Sequence, residues 1–423
     1  MAQTSQPPLP PTGKYIHSVR ESSRALREKA NVQISTESIK RLLFSPSFTS
    51  TFERLKVAHG MALPLNFPSV ASELNLLSLL SLMNFASGYR VPLHEATGRG
   101  AFDSIRAFIF SLYITSSIGT EDDLLSARGM QKITEGQVAD FMGVAGKIHI
   151  ERPHPDIPGV KVGELGGPVW ELVQLVTKVM KETGIILANG GYHDLGSFVL
   201  EALKEGEKAK EKADVINPEC EVAVERLVKA FPSFRDMSVV EGQPIYCFKK
   251  AMLTLHAIAL RFGSSPTPPF PIPRTDNLPI FSDNVIPSLL IHLGVIDLST
   301  SKPSLGVGSL FQEANRKETL DALLALPPPP PVMKLTSIPK EGPLLTPPQA
   351  FTLRACAIDA CELIVETAHN LSDEELVGPD NQDLSWLKKI TLPEVDAWLW
   401  AVAKDRADYR ALERFALRGT TYF

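Results

Sequence analysis

The chain has 423 residues, of which 44% are hydrophobic, and carries a formal net charge of −5. This length and apolar content indicate a soluble globular protein with an ample core. Proteins that grip a long nucleic-acid backbone normally present a basic face, so the slightly acidic balance argues against binding to a nucleic-acid polymer.

The N-terminal segment 1–14 is rich in proline and has no apolar stretch typical of a signal peptide. It is predicted to be a disordered lead-in, and the cytoplasm is the expected location. The longest apolar run, 74–85, is too short to cross a bilayer, which takes about 20 residues, so no membrane association is expected.

Most of the remaining chain has the apolar spacing of helices. In residues 169–180 apolar side chains recur every three or four positions, and Pro168 suits the first turn of a helix. The same spacing recurs at 222–231, 250–260, 285–293, 352–367 and 392–404. Alternation typical of strands is confined to two short stretches, 147–151 and 244–248. The sequence therefore predicts a mainly α fold with little sheet.

Proline-rich passages interrupt the helical pattern twice. The passage 264–273 lies between segments with clear motifs and is predicted to be an ordered loop. A run of prolines at 327–331 opens a second passage that extends to 348, and such a run is stiff and extended. We expect 15–423 to form one domain, with 327–348 as a surface excursion. The alternative is that the proline run is a ligand for a proline-binding module.

The sequence contains no cofactor or metal motif. GxxxxGK[ST], HExxH and GxSxG are absent, and the glycines at 306 and 308 lack the third glycine of a dinucleotide loop. The four cysteines form no CxxC pair and have no zinc spacing, so they are predicted to be reduced, buried side chains. Neither a cofactor nor a metal is expected.

Five motifs follow one another in the second half of the chain. They are FPSFRD (231–236), CFKKA (247–251), FSDNVIPSLLIHLGVI (281–296), LRACAIDACEL (353–363) and VDAWLWAVAKDRADY (395–409). This series resembles the queuosine salvage proteins, the queuosine 5′-phosphate N-glycosylases. Their corresponding wording is FPSYRD, FYKRA, FADYRxPQxLxxLGxL, IRxCxxxxxEL and LDYYLWDYAHDHRED. With the looser match of LMNFASGYR (82–90) and the closing TTYF, the resemblance covers roughly residues 20 to 423.

The resemblance implies a fold, a substrate and a reaction. The fold would be a single helix-rich domain similar to that of the helical DNA glycosylases. The partner would be a small nucleotide, queuosine 5′-monophosphate, and hydrolysis of its N-glycosidic bond would release queuine for salvage into tRNA modification. Carbon at position 7 of the deazaguanine cannot accept a proton, so stabilisation of the sugar cation becomes the main catalytic task.

Asp283 stands at the acidic position of the family's FADY, immediately ahead of a predicted helix. The resemblance assigns it the role of nucleophile or stabiliser of the oxocarbenium ion. From the residues alone, Asp283 is better explained as a cap of the following helix. Phe281 would stack on the deazapurine, or would be a core aromatic at the helix entry.

Lys249 and Arg235 match the basic positions of FYKRA and FPSYRD and are the candidate phosphate ligands. Arg235 could instead form a local ion pair with Asp236 or Glu241. Asp396 and Trp400 are four residues apart on a predicted helix and share one face, so they could bind the base together. They could also be a solvated carboxylate and a core aromatic.

Three positions depart from the family wording. Asn284 replaces the tyrosine of FADY and is a candidate substrate contact, while Ala397 and Ala401 replace a tyrosine and a second carboxylate. These departures leave two alternatives open besides the hydrolase: a non-catalytic binder of modified nucleobases, and a helical adaptor. The preference between nucleoside and nucleotide also stays open.

Overall fold

The computed structural model describes residues 6–57, 63–117, 120, 123–210, 217–326, 339–378 and 381–423. The fold is mainly α, as predicted. In the described residues the α-helices are α1 (Tyr15–Lys29), α2 (Thr36–Leu43), α3 (Pro46–Thr49), α4 (Phe52–Leu55), α5 (Val70–Leu82), α6 (Arg90–Thr97), α7 (Ala101–Thr115), α8 (Ala127–Lys132), α9 (Glu135–Met142), α10 (Gly167–Asn189), α11 (Leu195–Ala209), α12 (Pro218–Ala230), α13 (Lys249–Phe262), α14 (Val285–His292), α15 (Lys317–Leu324), α16 (Pro347–His369), α17 (Leu392–Asp405) and α18 (Ala407–Ala411).

Helix α5 lies in the core of the protein. Its side chains from Glu73 to Leu82 are buried on every face, which is the pattern of a helix surrounded by other elements. It packs against α7, α11 and α13. Helix α16 has the same all-round burial over most of its length and packs against α1, α2, α14 and α17. The apolar side chains of α1 to α17 contribute to one buried cluster. That residues 15–423 form one domain stays a prediction.

Two antiparallel strand pairs account for the sheet in the described residues. Strand β1 (His149–Pro153) pairs with β2 (Lys161–Leu165), and β3 (Met237–Val240) pairs with β4 (Gln243–Tyr246). The two strands predicted near 147–151 and 244–248 correspond to β1 and β4, each shifted by one or two residues. Their partners, β2 and β3, were not predicted.

The connection from β4 to α13 is strained. Phe248 has a φ of 44° and is fully buried, a backbone conformation that a bulky aromatic residue rarely adopts. Its ring is held 5.6 Å from that of Tyr15 and 5.6 Å from that of Tyr246. This packing fixes the point at which α13 begins, and therefore the position of Lys249, its first residue.

The segment predicted as a disordered lead-in needs a correction over residues 6–14. The Glu225 carboxylate accepts hydrogen bonds from the Thr12 hydroxyl at 2.9 Å and the Gly13 amide at 2.8 Å, and the Tyr246 hydroxyl donates to the Pro8 carbonyl at 2.8 Å. These hydrogen bonds hold residues 6–14 against α12 and β4. Residues 1–5 lie outside the described part of the chain.

The second proline-rich passage, predicted at 327–348, is described from residue 339 onward, and 327–338 lie outside the described residues. The Leu345 amide donates to the Ala416 carbonyl at 2.8 Å, and the Ala416 amide donates to the Pro343 carbonyl at 2.9 Å. Residues 339–345 therefore run alongside residues 414–416 and do not project from the body of the protein.

In the described part of the chain no single helix is long and apolar enough to span a bilayer. One bent pair, α5 with Ser87–Thr97, reaches the required length and composition only when its two helices are taken together across a 65° bend.

Candidate functional site

A cleft of about 460 Å³ opens between three separate parts of the chain. One wall comes from residues 84–105, a second from residues 283–285, and the third from residues 400–414, with Pro339 and Lys340 at the rim. A volume of this size suits a small organic ligand. Of the sequence-predicted site residues, Asp283, Asn284 and Trp400 line the cleft.

Asp283 holds the start of α14 and also borders the cleft. Its Oδ1 atom accepts a hydrogen bond of 2.6 Å from the Val285 amide, the first amide of α14. Its Oδ2 atom lies 3.9 Å from Nζ of Lys249. The residue is only 7% exposed, yet it lines the cleft. The helix start therefore fixes the carboxylate in place at the wall of the cleft.

Lys249 lies behind Asp283 and does not line the cleft. Its ammonium donates hydrogen bonds of 3.0 Å to both the carbonyl and the side-chain oxygen of Asn84. Burial lowers the pKa of Lys249, and the Asp283 carboxylate partly opposes this change. The ammonium is thus placed to support the charge of Asp283, and its surroundings leave no direct route to a phosphate in the cleft.

A buried ion pair supports the segment that carries Asp283. The Arg354 guanidinium donates to both oxygens of Asp236, at 2.8 and 2.6 Å, and its Nε donates to the Ser282 carbonyl at 2.8 Å. The Asp236 carboxylate also accepts the Lys249 amide at 3.2 Å. Burial alone would lower the pKa of Arg354, but the neighbouring acidic groups, Asp236 foremost, together outweigh burial and raise the pKa. One pair therefore anchors both Lys249 and the residue before Asp283.

Arg235 lies away from the cleft. Its Nε donates to the Val228 carbonyl at 3.1 Å and its terminal nitrogen donates to the Lys229 carbonyl at 2.8 Å. These carbonyls belong to the last turn of α12, where a basic side chain satisfies free acceptors. The local pair with Asp236 is not formed, because Asp236 binds Arg354.

Phe281 and Asp396 form a buried contact beneath the cleft. The Asp396 carboxylate accepts a hydrogen bond of 2.6 Å from the Phe281 amide, and both residues are at most 4% exposed. The Phe281 ring lies 5.3 Å from that of His256. Burial raises the pKa of Asp396 to about 7, against the opposing effect of the Phe281 amide. Neither side chain lines the cleft, so the structure favours the core-aromatic interpretation of Phe281.

Trp400 forms part of the cleft wall together with Phe102 and Lys404. The Trp400 and Phe102 rings meet edge to face, with centroids 5.7 Å apart and planes at 83°. Nζ of Lys404 lies 3.2 Å from the centroid of the Trp400 ring. Burial lowers the pKa of Lys404 to about 7, and Asp103 is the main group that opposes this change.

The three departures from the family wording differ in position. Asn284 lines the cleft, and its amide nitrogen donates to the Phe415 carbonyl at 2.7 Å and the Ser87 carbonyl at 3.3 Å. Ala397 is fully buried and Ala401 is 7% exposed, and neither lines the cleft. The amide of Asn284 therefore ties α14 to two other walls of the site.

A group of arginines that the sequence reasoning missed lines one end of the cleft: Arg90, Arg410 and Arg414. Arg90 donates to the Arg410 carbonyl at 3.0 Å, and Arg414 donates to the Ala403 carbonyl at 2.8 Å. Burial, followed by repulsion from Arg90, lowers the pKa of Arg414 to about 9. Within the described residues, none of the three forms an ion pair with a carboxylate. We name these three side chains the arginine cluster.

The arginine cluster has the chemistry of an anion site. Guanidinium groups offer several donors in a planar fork that matches phosphate or carboxylate oxygens. The burial of Arg90 and Arg414, and the repulsion of Arg414 by Arg90, would be offset by an anion bound between them. The hydroxyl of Ser87, which also lines the cleft, is buried and has no hydrogen-bond partner in the described residues. Two features of the sequence could have indicated the arginine cluster: SGYR (87–90), and the four-residue spacing of Arg410 and Arg414.

The described residues offer no group of three or more His, Cys, Asp or Glu side chains that could hold a metal ion.

No curated protein matches the chain. A family model described as queuosine salvage protein matches residues 172–319, a segment that contains Arg235, Lys249, Phe281, Asp283 and Asn284. Three of the five motifs lie in the matched segment, so the resemblance is confirmed there, and the match supports a role in queuosine salvage.

Proposed function

We propose that the protein hydrolyses the N-glycosidic bond of queuosine 5′-monophosphate, releasing queuine and ribose 5-phosphate. The observation that carries this proposal is the position of the Asp283 carboxylate. It lines a cleft that has an arginine cluster at one end and an aromatic wall on another side. A nucleotide needs these three elements: an anion site, a base-stacking surface, and a charge near the anomeric carbon between them.

Asp283 would act on the sugar. As the bond between the anomeric carbon and the base nitrogen breaks, the electron pair leaves with the base and positive charge develops on the sugar. A fixed carboxylate stabilises that charge by electrostatics or by covalent capture. Water then supplies the hydroxyl of ribose 5-phosphate and the proton on the base nitrogen. The hydrogen bond from Val285 and the nearby Lys249 ammonium hold the carboxylate in position.

The arginine cluster would bind the 5′-phosphate. This assignment differs from the sequence-based prediction, which gave the phosphate to Lys249 and Arg235. Arg235 binds carbonyls of α12, and Lys249 is enclosed by Asn84 and Asp283. Arg90, Arg410 and Arg414 face the cleft and have no carboxylate partner among the described residues. Trp400 would provide the surface for the base, and Asn284 would contact the ligand between the two ends.

The experiment is to incubate the purified protein with queuosine 5′-monophosphate, queuosine and guanosine 5′-monophosphate, and to quantify free base and sugar phosphate. We expect queuine and ribose 5-phosphate in equal amounts from the first substrate. The second candidate function, a non-catalytic binder of modified nucleobases, is favoured by Ala401, which replaces the second carboxylate of the family wording, and by Ala397 and Asn284, which replace tyrosines. Binding of queuine without any base release would support this candidate and contradict the hydrolase.

A further inference from the structure

Asp103 brings a second carboxylate to the cleft. Among the described residues, Asp283 and Asp103 are the two acidic side chains that line it. Asp103 lies in the first turn of α7, directly after Phe102, whose ring meets the Trp400 ring edge to face. Asp103 is also the main group that opposes the effect of burial on Lys404, and Nζ of Lys404 lies over the Trp400 ring. The Asp103 carboxylate is therefore at the end of the cleft that has the aromatic wall.

This carboxylate can accept a further partner. Its Oδ1 atom lies 3.0 Å from a terminal nitrogen of Arg106, in a pair whose side chains are 48% and 35% exposed. Exposed pairs of this kind are weak. The Oδ2 atom has no hydrogen-bond partner among the described residues, and it lies 4.0 Å from the position that a Cβ on Gly100, another cleft residue, would take. A carboxylate accepts several donors at once, so a cation of the ligand can bind Oδ2 without displacing Arg106.

The protein's own lysine near Asp103 does not remove this attraction. Burial lowers the pKa of Lys404 to about 7, so most of its amine is neutral at pH 8. An alkylammonium in water has a pKa of about 10, as lysine does, and keeps its charge at that pH. The Asp103 carboxylate therefore attracts a cationic substituent of the ligand, whereas a neutral substituent gains no charge attraction from it.

We propose that Asp103 is a specificity-determining residue that binds an ammonium group on the base, so that the site prefers cationic deazaguanines to neutral ones. Queuine carries such a group, a secondary amine. This inference rests on the proposed function, because it takes the ligand to be a deazaguanine base or its nucleotide. An acidic residue in the first turn of a helix also interacts favourably with the helix dipole. That structural role would affect all ligands alike, so a comparison of ligands separates the two.

The test uses two bases that differ in the cation: 7-aminomethyl-7-deazaguanine, which carries an ammonium, and 7-methyl-7-deazaguanine, which is neutral. Their dissociation constants are measured by calorimetry at pH 8 with the wild-type protein and with Asp103→Asn, which keeps the size of the side chain and loses its charge. We expect the wild type to prefer the cationic base by about fivefold, the upper range for an exposed ion pair. In Asp103→Asn the preference should fall below about twofold, because the cationic base binds more weakly while the affinity for the neutral base stays the same.

Two further variants control for the loss of the ion pair and for folding. Arg106→Met breaks the same pair but keeps the carboxylate, so it should keep or increase the wild-type preference. Glu207→Gln breaks a pair of the same spacing with Lys210, outside the cleft, whose carboxylate side chain is 47% exposed; it should change neither affinity. A preference that survives in Asp103→Asn or disappears in Arg106→Met, a wild type with no preference, or failure of both bases to bind would overturn the inference.

The outcome is separable from that of the proposed reaction, because the binding measurement requires no turnover. If the preference changes as expected but no variant releases queuine from the nucleotide, the inference stands and the hydrolysis fails. If queuine is released while Asp103→Asn keeps the preference, the hydrolysis stands and the inference fails.

Discussion

Two cationic regions flank Asp283, and they differ in what their cations bind. Behind Asp283, Arg354 meets the Asp236 carboxylate at 2.6 Å, and Lys249 lies 3.9 Å from the Asp283 carboxylate. In the arginine cluster, Arg90 and Arg414 meet backbone carbonyls, at 3.0 and 2.8 Å. A cation that is already neutralised by a carboxylate fixes structure. A cation held only by carbonyls keeps its charge for a ligand.

The largest effect should follow from breaking the buried pair. Asp236→Asn leaves the Arg354 guanidinium fully buried without its carboxylate, and removal of one partner of such a pair typically costs about 3 to 5 kcal/mol. We expect the free energy of unfolding, measured by urea denaturation, to fall by this amount.

A surface pair of the same geometry provides the control for that experiment. Arg54 donates to both oxygens of Asp405, at 2.9 and 2.6 Å, and its side chain is 58% exposed. Asp405→Asn should cost at most about 1 kcal/mol, because exposed pairs are screened by water. Equal losses in the two variants would show that burial does not distinguish the pairs.

The second prediction concerns the pH dependence of stability. The pKa of Asp396 is about 7 in the folded protein against 3.8 for the ordinary group. Between these values the folded state holds a proton that the unfolded state has released, so stability falls as the pH rises through this window. Asp396 changes the free energy of unfolding by at most about 1.4 kcal/mol per pH unit. In Asp396→Asn the curve of unfolding free energy between pH 4 and about 7 should be flatter; an unchanged slope would contradict the account.

The third prediction separates the two cationic regions by substrate. Arg414→Met should lower kcat/KM for queuosine 5′-monophosphate by about 30-fold or more, since loss of a charged partner costs at least about 2 kcal/mol. The unphosphorylated nucleoside should be affected about threefold or less.

Lys249→Met is the matched comparison for that measurement. It should reduce turnover of nucleotide and nucleoside by the same factor, because Lys249 supports Asp283 and does not reach the phosphate. A selective loss with the phosphorylated substrate in Lys249→Met, and not in Arg414→Met, would restore the sequence-based assignment.

The smallest effect is expected at Arg235. Arg235→Met removes two hydrogen bonds to carbonyls of α12 and should lower the unfolding free energy by about 1 kcal/mol. The ratio of kcat/KM for nucleotide and nucleoside should stay the same. A change in that ratio would return Arg235 to the phosphate site.

How far the sequence predicts the site depends on how local each signal is. Asp283 was found because the FSDN motif and the helix after it are adjacent in sequence. The arginine cluster was missed because Arg90 is far in sequence from Arg410 and Arg414 and is brought to them only by tertiary contacts, such as its hydrogen bond to the Arg410 carbonyl. No periodicity connects residues so far apart.

The direction of each side chain was the second property of the site that the sequence could not predict. Phe281 and Asp283 are two residues apart, but one points at His256 in the core and the other borders the cleft. The irregular backbone before α14 has no fixed period, so spacing could not separate them. The mainly α class was predictable because three-and-four spacing recurs along most of the chain. The strands β2 (KVGEL) and β3 (MSVV) escaped because neither alternates regularly between polar and apolar residues.

The most direct measurement of the central claim is the turnover of queuosine 5′-monophosphate by Asp283→Asn. Asparagine keeps the size and an oxygen that can accept the Val285 amide, but it removes the charge facing the sugar. We expect queuine release to fall by at least about 10³-fold with little change in ligand affinity. The control is Asp194→Asn, whose carboxylate caps α11 through the Ser197 amide at 2.8 Å, outside the cleft; it should keep wild-type turnover. An Asp283→Asn variant that is less stable but still releases queuine at the wild-type rate would show that Asp283 only holds the start of α14.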